Sequence, residues 1–329
     1  MRILLTGGAG YIGSHIGLSL LAEGHQIITV DNLSKGHRAA VQGGSFYQVD
    51  LENRNALKEI FGKETIDGVI HLAADSLVGE SVQKPTKYYR NNLANGLTLL
   101  EVMIEAGVKN IVFSSTAAVY GEPEEVPIGE THSKNPTNPY GQSKLYFEGL
   151  LEWLDKANGL KFVSLRYFNA AGADPSGKIG EDHQPESHLL PLIMQVPLGV
   201  RAELEIYGDD YPTPDGTCVR DYIHVNDLAQ AHILALKYLQ AGGGSRIYNL
   251  GNQQGFSNLE VLQTVEKVIG QKIPYRIAAR RSGDPAKLVA SSELIKKELG
   301  WRPQFPRLDQ IVETAWNWHS KHPEGYGDK

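Results

Sequence analysis

Cysteine is nearly absent: Cys218 is the one thiol in 329 residues. That excludes an internal disulfide and suits a reducing compartment. No apolar run approaches the ~20 residues of a membrane-spanning helix, and no leader segment precedes the first expected strand. A basic excess is missing too, since 32 Lys and Arg stand against 38 Asp and Glu, for a net charge of −6. The chain therefore lacks a stripe for nucleic acid, and any phosphate must be held by local arginines and helix ends. There is no internal repeat and no low-complexity tail. The run Gly242-Gly243-Gly244 reads as a loop, too short for an interdomain linker. The expectation is a cytoplasmic protein of enzyme size, partnered neither by nucleic acid nor by membrane, with room for one large domain or two ordinary ones.

What is present is organised around Thr6-Gly7-Gly8-Ala9-Gly10-Tyr11-Ile12-Gly13. An apolar strand, Ile3 to Leu5, precedes it and an amphipathic helix, Ile12 to Leu21, follows. Glycines 8, 10 and 13 read as the tight turn, the close approach to a pyrophosphate and the packing of helix on strand. The helix N-terminus offers free N–H groups and a positive dipole end. A second strand, Gln26 to Val30, ends on Asp31. Its carboxylate suits both hydroxyls of an adenosine ribose and repels a 2′-phosphate, which favours NAD over NADP. Lys35 and Arg38 follow closely and soften that preference.

Strand and helix alternate over the first 170 residues, which predicts a doubly wound parallel sheet with helices on both faces. Polar or small residues recur at successive strand ends, namely Asp50, Ala73-Ala74, Ser114-Ser115-Thr116 and Arg166-Tyr167-Phe168-Asn169. Ligands bind at such ends in open α/β sheets. From residue 171 glycine and proline become dense and the elements shorten, so the expected division is a dinucleotide-binding domain over 1–170 and a smaller mixed α/β substrate domain over 171–329. Ser257 with Glu260 predicts a capping box. Two helices, beginning near Tyr88 and Tyr140, carry apolar residues beyond one face. One has the stripe Tyr89, Leu93, Leu97, Leu100 and Ile104, and the other the arc Leu145 to Leu154. The surplus predicts a partner helix and hence a homodimer.

Tyr140 and Lys144, four apart at the start of a helix, share a face. An ammonium beside a phenol stabilises the phenolate and yields a general base for an alcohol proton. Thr116 supplies a hydroxyl to orient the same alcohol.

The glycine loop, Ser114-Ser115-Thr116 and Tyr140-x-x-x-Lys144 together resemble the extended short-chain dehydrogenase/reductase family. Further stretches resemble its UDP-glucose 4-epimerase branch. These are Gly79 to Pro85, Leu165 to Asn169, Arg220 to Val225, Arg280-Arg281-Ser282-Gly283-Asp284 and Trp316 to His319. The resemblance runs from the first strand to the C-terminus. It implies a Rossmann-like sheet, bound NAD, and interconversion of UDP-galactose and UDP-glucose within galactose metabolism. Tyr140 takes the 4-hydroxyl proton while NAD takes the C4 hydride, and the 4-keto sugar turns over before the hydride returns. Cofactor positions implied are Gly7, Gly10, Tyr11, Ile12, Gly13, Asp31, Asn32, Asp50, Leu51, Leu72, Ala73, Ala74, Asn91, Ser114, Tyr140, Lys144 and Phe168. Substrate positions are Thr116, Tyr140, Asn169, His188, Leu189, Leu204, Tyr207, Arg220, Tyr222, Arg281, Asp284 and Leu288.

Three departures from the branch's pattern stand out. Ser76 replaces a lysine beside the cofactor ribose, His188 an asparagine near the diphosphate, and Leu288 lies between the large and small residues found beside the sugar. The last leaves a bifunctional enzyme, also acting on UDP-N-acetylglucosamine and UDP-N-acetylgalactosamine, as the alternative. A dehydratase needs acid and base groups after the threonine, where Ala117 and Ala118 stand. A metal hydrolase using Glu181, Asp182, His183, Glu186 and His188 lacks any His-Glu-x-x-His spacing, so no metal is expected. A non-enzymatic NAD sensor has no use for an intact Thr116, Tyr140 and Lys144. Cys218 and His71 read as packing residues.

Overall fold

The computed structural model describes residues 1–281 and 284–327; Ser282 and Gly283 of the Arg280–Asp284 motif, with residues 328 and 329, lie outside them. Thirteen strands are assigned among these residues. In chain order they are β1 (Arg2–Thr6), β2 (Gln26–Asp31), β3 (Ser45–Gln48), β4 (Gly68–His71), β5 (Asn110–Thr116), β6 (Lys161–Tyr167) and β7 (Asn169–Ala171). The rest are β8 (Leu204–Tyr207), β9 (Val219–His224), β10 (Arg246–Leu250), β11 (Gly255–Ser257), β12 (Tyr275–Ala278) and β13 (Lys287–Leu288).

Seven strands form one sheet in the order β10-β6-β5-β4-β1-β2-β3, with every pairing parallel. Alternate residues of its strands enter two different cores, as the two-residue strand period requires. On one face Ile3, Leu5 and Ile70 pack with Ile16 and Leu20 of the helix Tyr11–Ala22 and with Leu228 to Leu239. On the other, Leu4, Val69 and Ile111 meet Leu99, Met103, Phe147 and Leu151. The doubly wound, Rossmann-like sheet expected from the alternation is present. Chain order reverses between β1 and β4, where such sheets open a ligand crevice.

The second part is smaller and mixed. β9 pairs antiparallel with β11 and parallel with β13 and β7, while β8 pairs parallel with β12. Leu204, Ile206, Val261, Leu262, Ile311 and Val312 form its core, and the capping box of Ser257 and Glu260 is formed. Division in sequence and division in space differ. The helix Val225–Gln240 and β10 lie beyond residue 171, yet the helix packs on the large sheet and β10 forms its edge.

The helix expected near Tyr88 is composite: Pro85–Tyr88, a wider π-turn over Tyr89–Ala94, then Asn95–Glu105. The inserted residue of a π-turn shifts the phase of everything after it. Leu99, Leu100, Val102 and Met103 therefore face the sheet, while Leu97, expected within the stripe, is 38% exposed.

Candidate active site

A cleft of about 480 Å³ runs along the carboxyl ends of β1, β2, β4, β5 and β6 and is closed by the second part. Gly7, Gly10 and Gly13 line it, together with Tyr11 and Ile12. Gly8 turns instead toward the sheet, where an added Cβ would meet Thr29 Cγ2 at 2.8 Å. Gly7 has φ +72° and lies so close to β4 that a Cβ would meet the Ala73 nitrogen at 2.6 Å. Of the expected glycines 8, 10 and 13, the last two line the cleft together with Gly7, while Gly8 does not. The N–H groups in the first turn of the helix have no intrahelical acceptor, leaving an anion site at this end.

Asp31 ends β2 with its carboxylate accepting from Ala9 N at 3.0 Å and Leu33 N at 2.8 Å. Burial pushes its carboxyl up, and the two N–H groups oppose that. The nearby cations are used elsewhere: Lys35 Nζ donates to the Gln184 carbonyl at 2.8 Å, and Arg38 lies over the Phe46 ring. Neither ammonium nor guanidinium is directed at Asp31 among the described residues, though the His37 imidazole lies near its carboxylate. Asn32 Nδ2 donates to Asp50 at 2.7 Å beside Leu51. Leu72, Ala73, Ala74, Ser76, Asn91, Ser114 and Phe168 line the same stretch.

The helix Pro139–Asn158 places the acid–base groups. Asn138 caps it, accepting from Gly141 N at 2.9 Å, and Pro139 fills its first turn. Gly141 sits against the Ala118 carbonyl, which draws the helix start onto the end of β5. Tyr140 is half-buried and lines the cleft with Thr116; burial pushes its phenol up, and Thr116 works against that. Lys144 Nζ donates to the Ser114 carbonyl at 2.8 Å and lies 4.9 Å from the centre of the Phe113 ring. Burial lowers its ammonium to about 7, with Glu148 opposing. Tyr167, which the motif reading passed over as a site residue, lines the cleft and shares a hydrogen bond with Ser114.

Across the cleft stand Asn169, His188, Leu189, Arg220, Tyr222, Asp284 and Leu288. Arg220 and Asp284 form an ion pair, and Leu288 pairs in register with Arg220. Three expected substrate residues do not line the cleft. Leu204 is buried in the second core, Tyr207 donates to Glu205 at 2.8 Å, and Arg281 stacks over the Tyr207 ring at 3.9 Å. Glu181, His183 and His188 line the cleft, and Glu186 adjoins them. Glu181 holds both imidazoles above their usual range, His183 at about 10. His71, expected to be a packing residue, is buried on β4 and shares a 2.7 Å hydrogen bond with Thr6; Cys218 is buried as well.

Gly-rich turn, β2 acid and Tyr–Lys helix on one parallel sheet define a dinucleotide-dependent enzyme of the short-chain dehydrogenase type. The chain belongs to the NAD dependent epimerase/dehydratase family, whose sequence model matches residues 3–251. It is 57% identical over 330 residues to the UDP-glucose 4-epimerase of Lacticaseibacillus casei, all of both chains being covered. A crystal structure of a UDP-glucose 4-epimerase superposes with a TM-score of 0.97 at 52% identity, covering 99% of each chain. The Bifidobacterium longum UDP-glucose 4-epimerase, in complex with NAD+ and UDP, gives 0.95 at 42% identity, covering 99% of this chain and all of that one.

Proposed function

We propose that the protein is an NAD-dependent UDP-sugar 4-epimerase that interconverts UDP-galactose and UDP-glucose. The observation that carries the reading is that Tyr140, half-buried, lines a cleft with Thr116 and Lys144 while the opposite wall holds Arg220. NAD fits the residues present: a close-packed glycine turn, the free N–H groups of a helix start and an acid at the end of β2. The first turn at Tyr11 and Ile12 would hold its pyrophosphate, Asp31 its adenosine ribose, and Lys144 its nicotinamide ribose. When bound, NAD supplies a reversible oxidant for the sugar C4.

The protein's own groups do the rest. Tyr140 accepts the 4-hydroxyl proton and later returns it, with Thr116 orienting the oxygen. Arg220 pairs with the diphosphate through its guanidinium fork, exchanging part of its bond to Asp284. That pairing leaves the hexose free to present either face while the nucleotide stays anchored. Ala117 and Ala118 follow Thr116 and carry no proton-transfer group, which favours epimerisation over elimination. The dinucleotide-binding unit is residues 1–170 completed by 225–250, the remainder of 171–329 binds the UDP-sugar, and the protein works in the cytoplasm. The test is direct: denature tag-free purified protein, assay the released NAD, and follow UDP-galactose conversion without added cofactor. Absence of both cofactor and conversion overturns the reading.

Leu288 sets the expected substrate range. Leucine overfills the space an acetamido group needs, at a cost of ~1–3 kcal/mol or roughly ten- to a hundredfold in specificity. UDP-galactose and UDP-glucose are the main pair, with their N-acetylated counterparts turned over weakly. Leu288→Ser raises kcat/KM for the acetylated pair more than for the plain pair. Equal use of both pairs by the unmodified protein contradicts this.

The homodimer rests on an outer face left open by the fold. Tyr146, Leu150 and Trp153 follow one another at helical spacing, with Tyr146 and Trp153 52% and 69% exposed. Tyr89 packs against Tyr146 at 6.2 Å, and Leu97 adds to the patch. Burying each large apolar side chain contributes about 1.5–3 kcal/mol, so pairing this face with its copy suffices for association. Leu97→Glu combined with Trp153→Glu shifts the mass in light scattering to that of a monomer. A monomeric unmodified protein at micromolar concentration contradicts the assignment.

A further inference from the structure

The segment from Glu181 to His188 forms part of the cleft wall, and it holds four potential ligands within eight residues. Glu181, His183, Glu186 and His188 bring one ligand atom each to within 4.8 Å of one another. The Glu181 carboxylate is buried, and its backbone carbonyl is fixed by Trp318 Nε1 at 3.2 Å. Its Oε1 faces Nδ1 of His183 at 3.2 Å and also Nδ1 of His188. His183 Nδ1 lies 3.8 Å from Glu186 Oε2.

We propose that these four side chains form a binding site for a divalent metal ion of the zinc type. A four-coordinate ion with ligand atoms about 2.1 Å away sets ligand–ligand separations near ~3.4 Å; the separations of 3.2 and 3.8 Å lie on either side of that value, and His188 Nδ1, now in direct contact with Glu181 Oε1, must draw back to admit an ion. Two imidazole nitrogens with two carboxylate oxygens select zinc-like ions over magnesium and calcium, which favour all-oxygen shells. The orienting contacts that ligands require are also present. Glu186 Oε1 is occupied by the N–H groups of Ser187 and His188 at 2.7 and 2.8 Å, which leaves Oε2 for the ion. The His183 ring is held edge-on by Tyr11 and by His188.

A set of protein ion pairs alone accounts for this geometry poorly. It directs two Nδ1–H donors, on rings with centroids 5.2 Å apart, at one oxygen of one carboxylate. An ion takes both rings in neutral form and balances the charge of both carboxylates. Its effect is to clamp the segment that delivers His188 and Leu189 to the cleft. The site adjoins the cleft of the reaction proposed above, and its test reads metal binding rather than activity.

The test uses tag-free protein stripped with a chelator, titrated with Zn2+ against a chromophoric competitor, with metal counted after gel filtration. One ion per chain is expected, with affinity rising with pH as the imidazole protons leave. Co2+ in the same site is expected to show the visible absorption of a four-coordinate ion. His183→Ala with Glu186→Ala is expected to weaken binding by more than the ~10–100-fold that outer-shell changes cost, while His132→Ala leaves it unchanged. Circular dichroism checks the fold of each variant. The proposal fails if the unmodified chain retains no stoichiometric ion, or if a folded double variant binds as tightly as the unmodified chain.

Discussion

Tyr140→Phe lowers turnover by at least ~100-fold while the fold and the bound cofactor remain, because the ring still fills its half-buried place and only the proton acceptor is lost. That loss corresponds to about 2.7 kcal/mol of barrier. The pH profile separates this role from simple packing. Burial holds the phenol above its ordinary value, so the base form grows and turnover climbs as pH rises. Thr116 opposes burial through its hydrogen bond. Thr116→Val therefore moves the rising limb to higher pH, and Tyr140→Phe removes the limb altogether. Initial rates of UDP-galactose conversion across the pH range, with released NAD assayed in parallel, decide the point. Near-full activity of Tyr140→Phe would falsify the assignment of the base.

Glu148→Ala destabilises the fold by about 3–5 kcal/mol, the range seen when one member of a buried ion pair is removed. Glu148 and Arg166 are both essentially inaccessible. Arg166 Nε donates to Glu148 Oε1 at 2.9 Å, with a second bond from its Nη2, and Ser115 Oγ donates to the same carboxylate at 2.6 Å. The guanidinium also donates to the Tyr120 hydroxyl at 2.9 Å, which in turn donates to Asn249 at 2.7 Å. One network thus ties the Tyr140 helix to β5, β6 and β10. Alanine leaves the guanidinium buried without its anion, and the apparent Tm falls by on the order of 10 °C. Glu148→Leu combined with Arg166→Met costs less than Glu148→Ala alone, since no uncompensated charge remains. Thermal unfolding of the three proteins measures this; equal losses for single and double changes refute the network argument.

Local signals located the parts of the site that are built locally. Asp31 was legible because it closes an apolar strand, and Tyr140 with Lys144 because four residues span one helical turn. Cleft residues from different strands converged because parallel strands all end on one side. Pairings distant in the chain carried no such signal. Arg166 stood out only as part of a motif, since nothing near it in sequence shows that its partner is Glu148. Leu97 was grouped with Leu100 in one stripe, yet in the regular helix after the π-turn Leu100 is buried and Leu97 exposed. Leu204, Tyr207 and Arg281 came from family positions and are not among the residues lining the cleft. The Glu181–His188 cluster was weighed as a metal-hydrolase site and set aside for want of His-Glu-x-x-His spacing.

β10 and the helix Val225–Gln240 carry a consequence for biosynthesis. The large sheet takes its edge strand and one helical layer from sequence that follows most of its own strands by 80 residues or more. While the ribosome is still making this part, β6 has an unpaired edge and the Ile3, Leu5 and Ile70 face lacks its cover. An open strand edge of that kind is a template for pairing with another chain. Nascent protein is thus most prone to aggregate between emergence of Tyr167 and of Leu250, and a fragment ending near residue 170 keeps that hazard permanently. Any stall in translation within that window extends the exposure, so the dinucleotide-binding half becomes safe only when the chain is three-quarters made.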